Sequence, residues 1–81
     1  MNIYLLTQDV NNGYDTFDSV VVVASTKEKA RMIHPSKGVG WDGKRESYSP
    51  WVRVEDVCVK YLGRATKGIK QGVLLGSFNA G

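Results

Sequence analysis

The chain has one cysteine, one histidine, two prolines and no long hydrophobic run. A lone thiol, Cys58, excludes an internal disulfide and a zinc site assembled from cysteines of one chain, and it fits a reducing compartment. Set between Val57 and Val59, it reads as a small buried or half-buried thiol rather than a nucleophile. His34 is equally alone. A histidine base needs a nucleophile and an orienting group, and one imidazole without clustered carboxylates makes a poor metal site, so His34 is expected to cap or pack. No cofactor or metal is expected, and the chain is not read as an enzyme. The longest apolar run, Val20 to Ala24, falls far short of the ~20 residues that cross a bilayer. The N-terminus also lacks the basic region and apolar stretch of a secretory signal. The expectation is a soluble, cytoplasmic protein with no membrane partner.

Positive charge is missing from the first 26 residues, which hold Asp9, Asp15 and Asp18 and no Lys or Arg, a net of −3. Residues 27–81 carry all eleven basic residues against Glu28, Asp42, Glu46, Glu55 and Asp56, a net of +6. Such a segment attracts polyanions nonspecifically, although the same balance serves a plainly solvated face. At 81 residues and 9.0 kDa the chain is one domain, 1–81, with ordinary apolar content and a thin stability margin.

What is present is strand chemistry. Met1 to Gln8 runs into Asp9, Asn11, Asn12 and Gly13, a strand closed by turn formers. Four consecutive valines within Ser19 to Ala24 are stiff at χ1 and suit a second strand, paired with the first as a hairpin. Ser25 and Glu28 have capping-box spacing and predict a helix from about Thr26 to Ile33, stopped by Pro35. Ser36 to Pro50 is a long irregular loop. Alternation over Val57 to Ala65 predicts a third strand, and Val73 to Phe78 a fourth, most simply its hairpin partner. The order β-β-α-β-β predicts an α+β domain: a four-stranded antiparallel sheet with one short helix on one face and a long loop between helix and third strand. Val21, Val23, Ile33, Val57, Val59 and Leu75 are the expected core.

One short helix covers one sheet face, whereas the strands carry apolar groups on both. The second face must be covered by the long loop, with Trp41, Tyr48 and Trp51 as lids, or by a second copy through a face or edge the helix leaves open. The same loop mixes aromatic and basic residues, so Trp41, Lys44, Arg45, Tyr48, Trp51 and Arg53 are the candidate binding residues. Arg and aromatic side chains dominate protein interfaces, and they also stack on single-stranded nucleic acid. Core lid and partner surface therefore both stand for the tryptophans. Gly38-Val39-Gly40-Trp41-Asp42-Gly43 matches G-x-G-x-x-G, yet it follows a helix stop instead of a strand and reads as loop glycine. Asp15 and Asp18 read as turn formers; with Thr16 and Ser19 they offer a latch for the first hairpin.

Tyr14 to Ala24 (YDTFDSVVVVA), Ala30 to Pro35 (ARMIHP) and the ending Ser77 to Gly81 (SFNAG) resemble small proteins of phages and prophages without assigned activity. The resemblance covers most of the chain outside Ser36 to Ser49 and brings no catalytic residue with it. It implies a non-enzymatic accessory protein that binds a host protein and inhibits or redirects it, a bacterial defence system of the CRISPR kind being the candidate target. The alternative is a nucleic-acid or nucleotide-binding module that uses the basic aromatic loop.

Overall fold

A computed structural model describes residues 1–11, 15–45 and 49–79, the last without the side chain of Asn79. Among them lie β1 (Asn2–Thr7), β2 (Thr16–Ala24), α1 (Lys27–Arg31), a 3-10 turn (Val54–Asp56), β3 (Cys58–Arg64) and β4 (Gly72–Asn79). The four strands form one antiparallel sheet in the order β3-β1-β2-β4. The fold class matches the α+β expectation, including the hairpin of β1 with β2.

The pairing of β4 does not match. It leaves β3 and joins the far side of β2, with Val20 opposite Gly76 and Val21 opposite Leu75. Residues 65–71 carry the chain between the two sheet edges. Three strand spacings of ~4.8 Å are well within the reach of seven extended residues at ~3.3 Å each, so the short connector does not force a hairpin. The valine run explains the preference: Val22 and Val23 point to opposite faces and are both fully buried, so β2 sits inside the sheet with a neighbour on each side.

The helix is shorter than its pattern suggested. Thr26 replaces Ser25 as N-cap, its Oγ1 accepting the Lys29 N–H at 3.2 Å, and Met32 and Ile33 close the end with tight bonds to Lys29 and Ala30. One helical residue, Ala30, reaches the core. The loop supplies the rest of the cover on that same face: Tyr4, Leu6, Val20, Val22 and Ala24 of the sheet pack with Ile33, Trp41, Trp51, Val52 and Val57 in one cluster. Helix and loop thus share a face, and the expectation that the loop would roof the opposite one is corrected. A five-residue helix covers too little area to close even one face alone.

The opposite face is defined by register. Leu5, Val21 and Leu75 form one cross-strand row, and Ile3 pairs with Val23 in the next. Val23 is buried and Ile3, Leu5 and Val21 are half-buried, but Leu75 is 69% exposed. Of the expected core, Val23, Ile33 and Val57 are buried and Val21 and Val59 half-buried. Leu75 is corrected to a surface residue, because β4 is an edge strand and that face lacks a packed layer beside it.

Candidate functional site

The long loop is held by internal anchors. His34 and Gly38 exchange backbone hydrogen bonds of 3.0 and 2.8 Å around a turn that begins with Pro35. The buried His34 ring accepts the N–H groups of Ser36 and Lys37 at Nδ1, at 3.0 and 3.1 Å. Its edge meets the Trp41 ring at 5.2 Å between centroids. Both donors need a lone pair on Nδ1, so that nitrogen serves the backbone turn.

Beyond the turn, Trp41 Nε1 donates to the Lys44 carbonyl at 3.0 Å, and the Asp42 carboxylate accepts the Lys44 N–H at 2.9 Å. Gly43, at φ 82, packs so closely that a Cβ there would lie 3.1 Å from Val54 Cγ1. Its carbonyl accepts the Val54 N–H at 3.0 Å, which sets the backbone at Lys44 beside that at Arg53. The glycines of the G-x-G-x-x-G match open no helix; they turn this loop.

A second anchor was not read from the sequence. Gln8, nearly buried, donates from Nε2 to the carbonyls of Asn11 (2.7 Å) and Phe17 (3.0 Å), while its Oε1 accepts the N–H groups of Val10 and Asn11 at 2.8 and 2.7 Å. Asn11 Nδ2 then donates to the carbonyls of Ser49 and Trp51 at 3.1 and 3.3 Å, and Phe17 N–H to Pro50 at 2.9 Å. The first hairpin and the long loop are therefore stitched together by one amide pair. The available signal was phase: Tyr4, Leu6 and Gln8 share a face at period two, which turns Gln8 inward and obliges its amide to find partners. Of the residues expected to form the latch, Asp15 and Asp18 are exposed, Ser19 is half-buried and Thr16 is buried.

The candidate binding residues divide sharply. Trp51 is completely buried and Trp41 is 6% exposed, so both are core lids and neither presents a ring to a partner. Their large apolar area closes a face that α1 cannot. Lys44 and Arg45 are exposed, and Tyr48 lies outside the described residues. Arg53 is exposed but paired, its Nε 3.2 Å from Asp56 and 3.6 Å from Glu55. The hydrogen bond to Asp56, and then the two carboxylate charges, hold its guanidinium pKa above the usual value. Cys58 is exposed, which corrects the buried or half-buried expectation: it occupies the outer strand β3, opposite Thr7. Among the described residues no three His, Cys, Asp or Glu side chains gather as a metal site, and no helix is long and apolar enough to cross a membrane.

Around the anchors the loop offers a surface. A groove of about 450 Å³ is lined by Glu28, Lys29 and Met32 of the helical segment, Val39 and Gly40 of the loop tip, and Gln71. A smaller hollow of about 240 Å³ lies beside it against Lys37, Trp41 and Asp42. Val39 is exposed between the two. Val39 thus lies beside the exposed Lys37, and Lys44 and Arg45 are exposed further along the same loop, which is fixed by His34, Trp41 and Gly43. No family model matches the chain, and neither the curated proteins nor the solved structures give a match.

Proposed function

We propose that this chain is a non-enzymatic binding protein that acts by contact with another protein through the loop tip around Val39, Lys44 and Arg45. On its resemblance to small phage proteins, it is a phage accessory protein that inhibits or redirects a host protein in the host cytoplasm, a defence complex of the anti-CRISPR-targeted kind being the candidate. The observation that carries the reading is the contrast between fixed backbone and exposed side chains in this loop: His34 and Trp41 are buried while Val39, Lys44 and Arg45 face solvent. A surface ordered before binding loses less conformational freedom on association, so its contacts convert more fully into affinity.

The nucleic-acid alternative rests on the cations alone. Its two tryptophan stacking platforms are in the core, and Arg53 is occupied by Asp56 and Glu55. The test compares the wild-type chain with a Val39→Asp, Lys44→Ala, Arg45→Ala variant, immobilised and exposed to lysate of the host. A defined host protein retained by the wild type and lost by the variant, with circular dichroism unchanged, supports the reading. Equal retention by both, or affinity only for oligonucleotides that falls steeply with salt, overturns it.

A further inference from the structure

The strand β4 ends the sheet, and among the described residues its backbone bonds only to β2. Among the described residues, its outer side is a row of unpaired N–H and C=O groups. Natural sheets blunt such edges with lysine, proline or a covering segment. The other edge does so, since β3 carries Lys60 and Arg64. The strip Gly72–Asn79, GVLLGSFN, has no charge and no proline, and Leu74, Leu75 and Phe78 are 47%, 69% and 48% exposed.

We propose that β4 is a self-association edge, pairing antiparallel with β4 of a second copy about a two-fold axis at Gly76 to give a continuous eight-stranded sheet. Antiparallel pairing joins residues of like orientation, so the axis must fall on a residue. Centred on Gly76, it sets Leu75 of each copy opposite Ser77 of the other, while Leu74, the extra residue of a bulge between the Val21–Leu75 and Val22–Val73 pairs, flanks Phe78 of the other copy. The exposed Leu74 and Phe78 are thereby brought together across the seam, and the smallest residue stands at the crossing.

Charge favours a second copy over an unrelated strand. No like charges meet along the paired strip. The antiparallel arrangement also brings the sheet end that carries Lys67 and Lys70, exposed in the 65–71 connector, toward the end where the other copy carries exposed Asp15 and Asp18. A paired edge ~23 Å long, residues 73–79, gives a contact at or below the low end of the range around ~800 Å² per partner, which implies a reversible dimer. This surface is separate from the loop tip, so it is tested without any host protein.

Sedimentation of the full chain from about 1 to 500 µM spans the affinities a small reversible interface reaches. The expected mass rises from that of one 9.0 kDa chain to twice that value. Leu74→Lys should hold the chain as a monomer, Lys70→Glu should weaken the dimer several-fold, and Leu62→Lys on the opposite edge should leave it intact. In a Cys58→Ser background, a mixture of Leu75→Cys and Ser77→Cys chains should oxidise to a cross-linked heterodimer, a readout that does not depend on Leu74→Lys remaining folded. A wild-type mass that stays at one chain throughout, no cross-link, or equal disruption by Leu62→Lys overturns the proposal.

Discussion

The ring of Phe17 occupies the space that a side chain at position 76 would need. A Cβ on Gly76 would lie 2.8 Å from Phe17 Cε1 and 3.1 Å from Cδ1, closer than real contacts allow. Phe17 is held from its other side by Phe78, whose ring meets it edge-on at 4.9 Å between centroids. The backbone of Gly76 is not left-handed, so the constraint is steric and not conformational.

Gly76→Ala is therefore expected to destabilise the domain by roughly 1–3 kcal/mol, the usual cost of overpacking a filled site. Phe17→Leu in the same chain should recover part of the loss by clearing the ring. Urea unfolding of the single and double variants measures both. An unchanged midpoint for Gly76→Ala would mean that the Phe17 ring moves freely.

Replacing Gln8 by leucine keeps the volume and deletes two donors and an acceptor that serve four backbone groups. Leaving such groups unpaired costs about 1–3 kcal/mol each where water cannot reach them, so the variant should lose at least several degrees of melting temperature. Gln8→Glu should not rescue the site, since its carboxylate still accepts from the N–H groups of Val10 and Asn11 but turns a second oxygen on the carbonyls of Asn11 and Phe17. Hydrogen exchange of those two N–H groups provides the local readout: both should exchange faster in Gln8→Leu while the β1 and β2 amides remain protected.

Much of the architecture was legible because it rests on local rules. The valine run marked β2 and the turn residues after Gln8 closed β1, whereas the helix ends at Arg31, before the stop expected at Pro35. Pairing partners were not legible, because nothing in residues 65–71 distinguishes a hairpin turn from a connector that crosses the sheet end. The fate of the tryptophans was also undecided in the sequence: the same ring area serves a lid or an interface, and only the shortness of α1, five residues against the eight expected, decides for the core. Of the six candidate binding residues, Lys44 and Arg45 remain as exposed side chains with no paired carboxylate among the described residues.

Trp51 combines complete burial with an indole N–H that has no hydrogen-bond partner among the described residues. Its side chain therefore contributes apolar area alone. Trp51→Phe removes the orphan donor along with part of the volume, and the two effects oppose each other. Trp51→Ala only opens a cavity and is expected to cost about 3–5 kcal/mol. Trp51→Phe should keep most of the stability, with a loss below about 2 kcal/mol because one unpaired buried group is relieved. Denaturant midpoints of the two variants give the ordering, and a phenylalanine variant as unstable as the alanine one would show that the indole N–H is satisfied in solution.

His34 offers the sharpest separation between a structural and a chemical role. Its Nδ1 accepts two consecutive backbone N–H groups, and its ring edge supports Trp41. An asparagine carbonyl oxygen reaches a similar position to Nδ1, whereas alanine supplies neither acceptor nor edge. His34→Asn should thus retain the turn at some cost in packing, and His34→Ala should lose both and unfold at lower denaturant. The two orphaned N–H groups of Ser36 and Lys37 would be expected to exchange rapidly in the alanine variant alone. Binding through the loop tip should follow the same order, wild type above asparagine above alanine, because the anchor fixes the surface without touching the partner. If His34→Asn bound no partner although its turn amides stayed protected, the imidazole would have to act directly, and its assignment as an anchor would fail.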